Sequence, residues 1–143
     1  MPTAKRLLEV KGTDVATLGP EATVLDAVEL MNDRHIGSVV VLEDDRIVGI
    51  FTERDLMLRV VAARRDPAVC RLSEVMTTPV ACAAPRTTLN ELRQVMRDKR
   101  IRHVPVVDGG RLAGLISIGD LNRAEHDVQE QTIEYLAHYI TGG

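Results

Sequence analysis

Apolar positions along this chain follow two periods, and the order of those periods occurs twice. Val24, Ala27, Val28 and Met31 are spaced like one helix face, as are Leu89, Leu92 and Met96. Thr23 and Thr88 stand just before these runs, where a hydroxyl oxygen can accept from an orphan backbone N–H and start a helix. Pro20 and Pro85 mark the turns ahead of them. Strand-like runs come next. Ser38-Val39-Val40-Val41-Leu42 leads through Glu43-Asp44-Asp45 into Arg46-Ile47-Val48-Gly49-Ile50-Phe51. The second set is His103-Val104-Pro105-Val106-Val107, then Asp108-Gly109-Gly110, then Arg111 to Ile116. Each reads as a hairpin. Pro105 has no N–H for a ladder, so it belongs at an edge or a strand start. A shorter apolar stretch opens each set, Val15 to Leu18 and Val80 to Ala83, and a further helix is expected from Glu53 to about Ala63.

Shifting the chain on itself by 65 residues makes the duplication explicit. Glu9-Val10 falls on Glu74-Val75, Val15-Ala16 on Val80-Ala81, and Met31 on Met96; Gly49, Asp55 and Leu56 fall on Gly114, Asp120 and Leu121. The predicted unit is β-α-β-β-α, twice, in the α/β (α+β) class. One unit is too small to bury its own apolar face, so the copies should pack together as one globular body. The expected divisions are 1–66 for the first repeat with an N-terminal segment, 67–125 for the second, and 126–143 for a C-terminal helix and tail, with Arg64 to Arg71 as the linker. From Asp120 to about Ile140 a helix is expected. Leu121, Val128 and Tyr135 recur every seven residues in it, flanked by Ala124, Leu136 and Tyr139. It is short for a coiled coil and either packs on its own module or forms a dimer contact.

The composition narrows the function. With 45% hydrophobic residues the chain is not intrinsically disordered. Aromatics are only 2%, with no Trp, so the core rests on aliphatic residues and there is no stacking platform for single strands. A net charge of −3 gives no global attraction to nucleic acid, although a local basic patch stays open. Cys70 and Cys82 fit no zinc or redox spacing and read as reduced thiols. His35, His103, His126 and His138 make no i, i+3 or i+4 pair, so no metal site is expected. No apolar run reaches the ~20 residues of a membrane span and no signal peptide is evident, so no membrane association and a cytoplasmic location are expected. No nucleophile elbow, HExxH, Walker A or GxGxxG motif occurs, which ranks an enzyme last.

The recurrent polar feature lies at the end of each third strand. Gly49-Ile50-Phe51-Thr52-Glu53-Arg54-Asp55 matches Gly114-Leu115-Ile116-Ser117-Ile118-Gly119-Asp120. Both are Gly-x-x-hydroxyl-x-x-Asp at a strand-to-helix junction. Thr52 or Ser117 can simply cap the helix, with Asp55 or Asp120 complementing its first turn. The same geometry suits a nucleoside phosphate: the hydroxyl and free N–H groups donate to phosphate, and the carboxylate accepts from a ribose diol.

At these residues the chain resembles the CBS-domain family in its tandem arrangement, the Bateman module, over about residues 7–125. The matching pieces are Leu72-Ser73-Glu74-Val75-Met76, the helix led by Thr88, Val104-Pro105-Val106-Val107-Asp108, Gly114 to Asp120, and their first-copy equivalents. The resemblance implies pseudo-twofold packing with clefts between the repeats that hold AMP, ADP, ATP or an S-adenosyl ligand such as S-adenosylmethionine, with NAD also possible, and no prosthetic group. It places Thr52 and Asp55 at one cleft and Ser117 and Asp120 at the other. Thr13, Val15 and Ala16, with Thr78, Val80 and Ala81, would line adenine pockets. Ile36-Gly37-Ser38 and Ile101-Arg102-His103 would lie near the pseudo-twofold axis. The family's habit of pairing modules implies a homodimer, with a separate protein target left open. The copies differ in their charges: Arg54 stands where copy two has Gly119, and Arg102-His103 where copy one has Gly37-Ser38. Arg54 and Arg102 read equally as phosphate ligands or surface residues. Two functions remain: an adenine-nucleotide sensor, and an interaction module with degenerate clefts that works without nucleotide.

Overall fold

The first local decision is made at the two threonines. Thr23 Oγ1 accepts from the Asp26 N–H at 3.1 Å, and Asp26 returns the bond to the Thr23 N–H at 3.0 Å. Thr88 Oγ1 accepts from the Glu91 N–H at 3.1 Å. Orphan N–H groups are thereby satisfied and the helices start where the sequence places them. Both end in a left-handed residue, His35 (φ 53) and Arg100 (φ 54). The computed structural model describes residues 2–125. Its elements are α1 (Ala4–Lys11), β1 (Thr17–Leu18), α2 (Val24–Arg34), β2 (Ser38–Glu43), β3 (Arg46–Thr52), α3 (Glu53–Asp55), α4 (Leu72–Val75), α5 (Leu89–Lys99), β4 (His103–Asp108) and β5 (Arg111–Ser117). A last helix, α6, covers 118–125. The expected positions Val128, Tyr135, Leu136 and Tyr139, and with them His126, His138 and the 126–143 division, lie outside the described residues.

Both hairpins form as expected. β2 pairs antiparallel with β3 and β4 with β5, in registers that correspond residue for residue: Ser38 opposite Thr52, His103 opposite Ser117. Each carries a register shift at the equivalent place, Val41/Leu42 and Val106/Val107. Asp44 and Asp45 (φ 52 and 62) and Gly109 and Gly110 (φ 59 and 81) give both turns two central residues in the left-handed region, which matches strand twist. The strands read as continuous apolar runs because both faces are covered. Val39, Val41 and Phe51 point to one core, while Val40 and Ile50 on the opposite face are equally buried.

Three expectations change. The stretch Val80 to Ala83 is not a strand; it is reduced to a single bridge from Ala83 to Val106, whereas its counterpart β1 pairs with β2 at two positions. In the first copy the Val40 N–H donates to the Ala16 carbonyl at 3.0 Å. The equivalent residue is Pro105, which has nothing to donate. Pro105 is thus inside β4, with its nitrogen on the side away from β5. The β4 Pro105 carbonyl still accepts from Ala83 at 2.8 Å. The helix expected from Glu53 to about Ala63 is helical only over α3 in the α form. It widens to a π-helix over Leu56–Val61, where the Ala62 N–H reaches back to Met57.

The third change concerns α1 and α4, which the apolar pattern did not predict. They exchange partners. Ala4 and Leu8 of α1 join the core built by Leu92, Met96, Val104, Val106, Ile116 and Leu121 of the second repeat. Leu72 and Val75 of α4 join Val24, Ala27, Met31, Val39 and Phe51 of the first. Main-chain bonds follow the same exchange: Pro2 O accepts from the Leu89 N–H at 3.2 Å, and Pro67 O from the Leu25 N–H at 3.0 Å. Glycine makes the exchange sterically possible. A Cβ on Gly114 would lie 2.6 Å from Leu8 Cδ2, and one on Gly49 would collide with Met76. The two repeats therefore close each other with pseudo-twofold reciprocity.

Candidate functional site

Each strand-to-helix junction is a capping box closed by the other repeat. At the first, the Thr52 N–H donates to Asp55 Oδ2 at 3.0 Å, and the Asp55 N–H returns to Thr52 Oγ1 at 3.3 Å. Asp55 Oδ1 then accepts from the Thr77 hydroxyl at 2.8 Å, and Arg59 Nε lies 3.7 Å away. At the second, the Ser117 N–H donates to Asp120 Oδ2 at 2.8 Å, and the Asp120 N–H to Ser117 Oγ at 3.1 Å. Lys11 Nζ from α1 donates to Asp120 Oδ2 at 2.5 Å and to the Leu115 carbonyl at 2.6 Å. Arg123 donates to Asp120 Oδ1.

Both carboxylates are buried, 5% and 4% exposed for Asp55 and Asp120, and they are two of the three buried polar side chains among the described residues. No buried side-chain nitrogen or oxygen lacks a partner there. Burial alone pushes the Asp120 carboxyl up, but the bonds from Lys11 and from the Ser117 N–H outweigh it and hold Asp120 below the usual carboxylate range.

The exchange of α1 and α4 sets which segments meet which junction. The chain leaving α1 through Gly12, Thr13, Val15 and Ala16 starts at Asp120. The chain leaving α4 through Thr77, Thr78, Val80 and Ala81 starts at Asp55. Ala16 is buried and Val15, Val80 and Ala81 are half-buried, whereas Thr13 and Thr78 are exposed. Ile36 is 37% exposed and Ser38 buried. The Gly37 carbonyl accepts from the Glu53 N–H at 3.1 Å and the Arg102 carbonyl from the Ile118 N–H at 2.8 Å, so each second-strand start is tied to its own junction. Glu53 and His103 flank Gly37 closely: a Cβ there would lie 2.5 Å from Glu53 Oε1 and 3.4 Å from His103 Nε2. Ile101 and Arg102 line a cavity together with Arg54, whose guanidinium crosses to the Arg100 carbonyl at 3.3 Å.

Sequence reasoning missed Lys11 and Thr77. Each belongs in sequence to one repeat and in space to the other, and the alignment by 65 residues puts Lys11 on Met76 and Gly12 on Thr77, so it gives no sign that the two side chains do equivalent work.

His103 is half-buried, and desolvation pushes its imidazole below the ordinary value of 6.5. Lys11 and Arg102 act in the same direction, while Glu53 and Asp120 oppose it. A lowered folded-state value means that the neutral ring supports the fold above about pH 6.5 and that this support is lost as pH falls through the folded value. Chemical denaturation from pH 7.5 to 5 should show wild type losing stability faster than His103→Gln. Parallel curves would rule this out.

Among the described residues, no group of three or more His, Cys, Asp or Glu is arranged to hold a metal, and no helix is long and apolar enough to cross a membrane. Cys70 and Cys82 are both free thiols.

Known proteins resemble this chain both in sequence and in structure. The family model described as "CBS domain" matches residues 9–62 and 72–127. The CBS domain-containing protein YhcV of Bacillus subtilis is 33% identical over 88% of this chain and 91% of its own length. The CBS-domain containing protein ATU1752 from Agrobacterium tumefaciens superposes with a TM-score of 0.82 at 40% identity, covering 86% of this chain and 98% of that one. The CBS domain protein PAE2072 from Pyrobaculum aerophilum, whose structure is complexed with AMP, superposes with a TM-score of 0.73 at 27% identity, covering 82% and 88%.

Proposed function

The chain belongs to the CBS domain family, and from that premise we propose that it is a regulatory, non-catalytic module that binds an adenine nucleotide in the clefts between its repeats. One observation carries the reading: each buried hydroxyl-x-x-Asp junction is completed by a side chain of the other repeat, Lys11 on Asp120 and Thr77 on Asp55. A ligand that enters such a junction touches both repeats at once. Its ribose diol takes the place of Lys11 or Thr77 as donor to the carboxylate. The released Lys11 ammonium is then free for phosphate, and at the other cleft Arg54 and Arg102 take that part. Binding therefore changes the contact between α1 and the second repeat, a means of signalling through conformation or through the geometry of a homodimer or a separate protein target. AMP bound to a relative of the same fold favours AMP, with ADP, ATP, S-adenosylmethionine and NAD as the remaining candidates.

A ligand held by the folded state alone adds about 2.7 kcal/mol at a concentration of 100 Kd. A thermal-shift panel of these nucleotides with guanine controls should show a rise for at least one adenine ligand, abolished by Asp55→Ala together with Asp120→Ala. Flat melting curves across the whole panel reject the reading. The fully satisfied carboxylates favour a second reading, an interaction module whose clefts serve only as caps. It predicts association that is indifferent to every nucleotide, which sedimentation with and without AMP distinguishes.

A further inference from the structure

The first repeat shows what a sealed apolar face looks like, and the second repeat is not sealed. Val24, Leu72 and Val75 are 0%, 0% and 1% exposed and share one cluster with Val60, itself 1% exposed. The 65-residue shift puts Leu89, Leu7 and Val10 at the same three places in the second repeat, and Glu125 at the place of Val60. There Leu7 and Leu89 are only half-buried, Val10 is 76% exposed, and Glu125 pairs with Arg93 instead of covering them. The apolar lid that Val60 provides has no counterpart among the described residues of the second repeat.

The result is an open groove of about 1100 Å³ between α1, α5 and α6. Leu7, Val10, Leu89, Leu121 and Ala124 are its apolar lining. A space of that size takes roughly two to three turns of a helix about 10 Å across. The rim is basic: Arg6, Lys11, Arg93, Arg97 and Arg123 stand against two carboxylates, Asp120 and Glu125. Lys11 and Asp120 belong to the second junction, at the end of α1 and the start of α6; the rest of the groove lies outside that junction.

The chain that follows Glu125 has the complementary chemistry. Between 126 and 143 it carries Asp127, Glu130 and Glu134 and no Lys or Arg. Ile133, Leu136 and Ile140 in the same segment are spaced like one helix face. An apolar, acidic segment thus begins at the lip of an apolar, basic groove. Its length is sufficient to turn back, since a helix–helix connection takes roughly four residues and three turns of helix about eleven more.

We propose that the groove between α1, α5 and α6 is the docking site of the chain's own C-terminal segment, residues 126–143, folded back within the same molecule. The segment does for Leu7 and Val10 what Val60 does for Leu72 and Val75. Docking needs no nucleotide.

The chain's two tyrosines, Tyr135 and Tyr139, both lie in this segment, and there is no Trp, so tyrosine fluorescence reports on the segment alone. Acrylamide quenching of the full chain without nucleotide tests the docking. A tethered segment meets its groove at an effective concentration on the order of millimolar, so quenching should fall at least about threefold below that of the urea-unfolded chain. Val10→Glu puts a carboxylate into the groove's apolar lining and should bring quenching back to within about 1.5-fold of the unfolded chain. Leu136→Gln should do the same from the segment's side, and it leaves every groove residue in place. Val69→Glu makes the same change as Val10→Glu at a linker residue of similar exposure, 72%, and should quench like wild type. A retained cooperative melting transition certifies that each variant folds. Wild-type quenching equal to that of the unfolded chain, no rise in Val10→Glu and Leu136→Gln, or an equal rise in Val69→Glu overturns the proposal. So does protection that is lost on dilution from about 100 to about 1 µM, which assigns the groove to the segment of a second copy.

Discussion

Phe51→Ala should destabilise the protein by about 3–5 kcal/mol, the cost of truncating a fully enclosed aromatic side chain. Phe51 is the only phenylalanine in the chain and is 0% exposed. It sits in the penultimate position of β3, opposite Val39, in a core completed by Leu72 and Val75 from the exchanged helix α4. The neighbours are short aliphatic residues on a paired sheet and on capped helices, so the void closes little and the cavity cost adds to the transfer cost. Phe51 also immediately precedes Thr52, so loosening it loosens the first junction. Urea unfolding monitored by circular dichroism would measure the loss. A value below about 1 kcal/mol would mean that the core collapses around the deletion and is not the close-packed interface described here.

The second large effect is at Asp120. Replacing it with Ala should cost about 2–3 kcal/mol at neutral pH. The lost cap alone accounts for roughly 1 kcal/mol. Breaking a buried ion pair costs about 3–5 kcal/mol when the partner is trapped, and Lys11, with a side chain 29% exposed, can recover part of that by turning to water. The effect should depend on pH with a defined sign. The carboxyl is held below its ordinary value of 3.8, so its contribution is complete above that value and disappears as pH falls through the folded value. Wild type and Asp120→Ala should therefore converge in acid, while Asp120→Asn, which keeps an acceptor for the Ser117 N–H, should lie between them at pH 7. A difference that persists unchanged to pH 2 would assign the loss to packing. The same variant separates stability from binding: its nucleotide response is read at a temperature where it remains folded.

The comparison of the two junctions explains why they need not act alike. Copy one closes its carboxylate with a neutral hydroxyl, Thr77, and copy two with an ammonium, Lys11. An anionic ligand arriving at the second junction meets a cation already in place. At the first, the cation stands farther off, with Arg59 Nε 3.7 Å from Asp55. The sequence alignment pointed to unequal basic equipment but located it only at Arg54, Arg102 and His103. Lys11 was invisible to it, since it lies at the end of a helix that the apolar pattern did not predict.

What the sequence alone determined was everything governed by local period and local chemistry. The threonine caps, the αL-tolerant turn residues, the hairpin registers implied by them, and the twofold repetition of Gly-x-x-hydroxyl-x-x-Asp follow from neighbours within a few positions, where backbone hydrogen bonding dominates. The tertiary structure decided which repeat each helix serves. No local rule sends Leu8 to Gly114 or Leu72 to Phe51; the exchange follows from burying two incomplete apolar faces at once. It also decided the fate of Pro105, whose missing N–H silences a strand partner some twenty residues away, near Ala83. Finally, it turned two separate capping boxes into junctions that each need the other repeat, because the residues that complete Asp55 and Asp120 arrive only when α1 and α4 cross over.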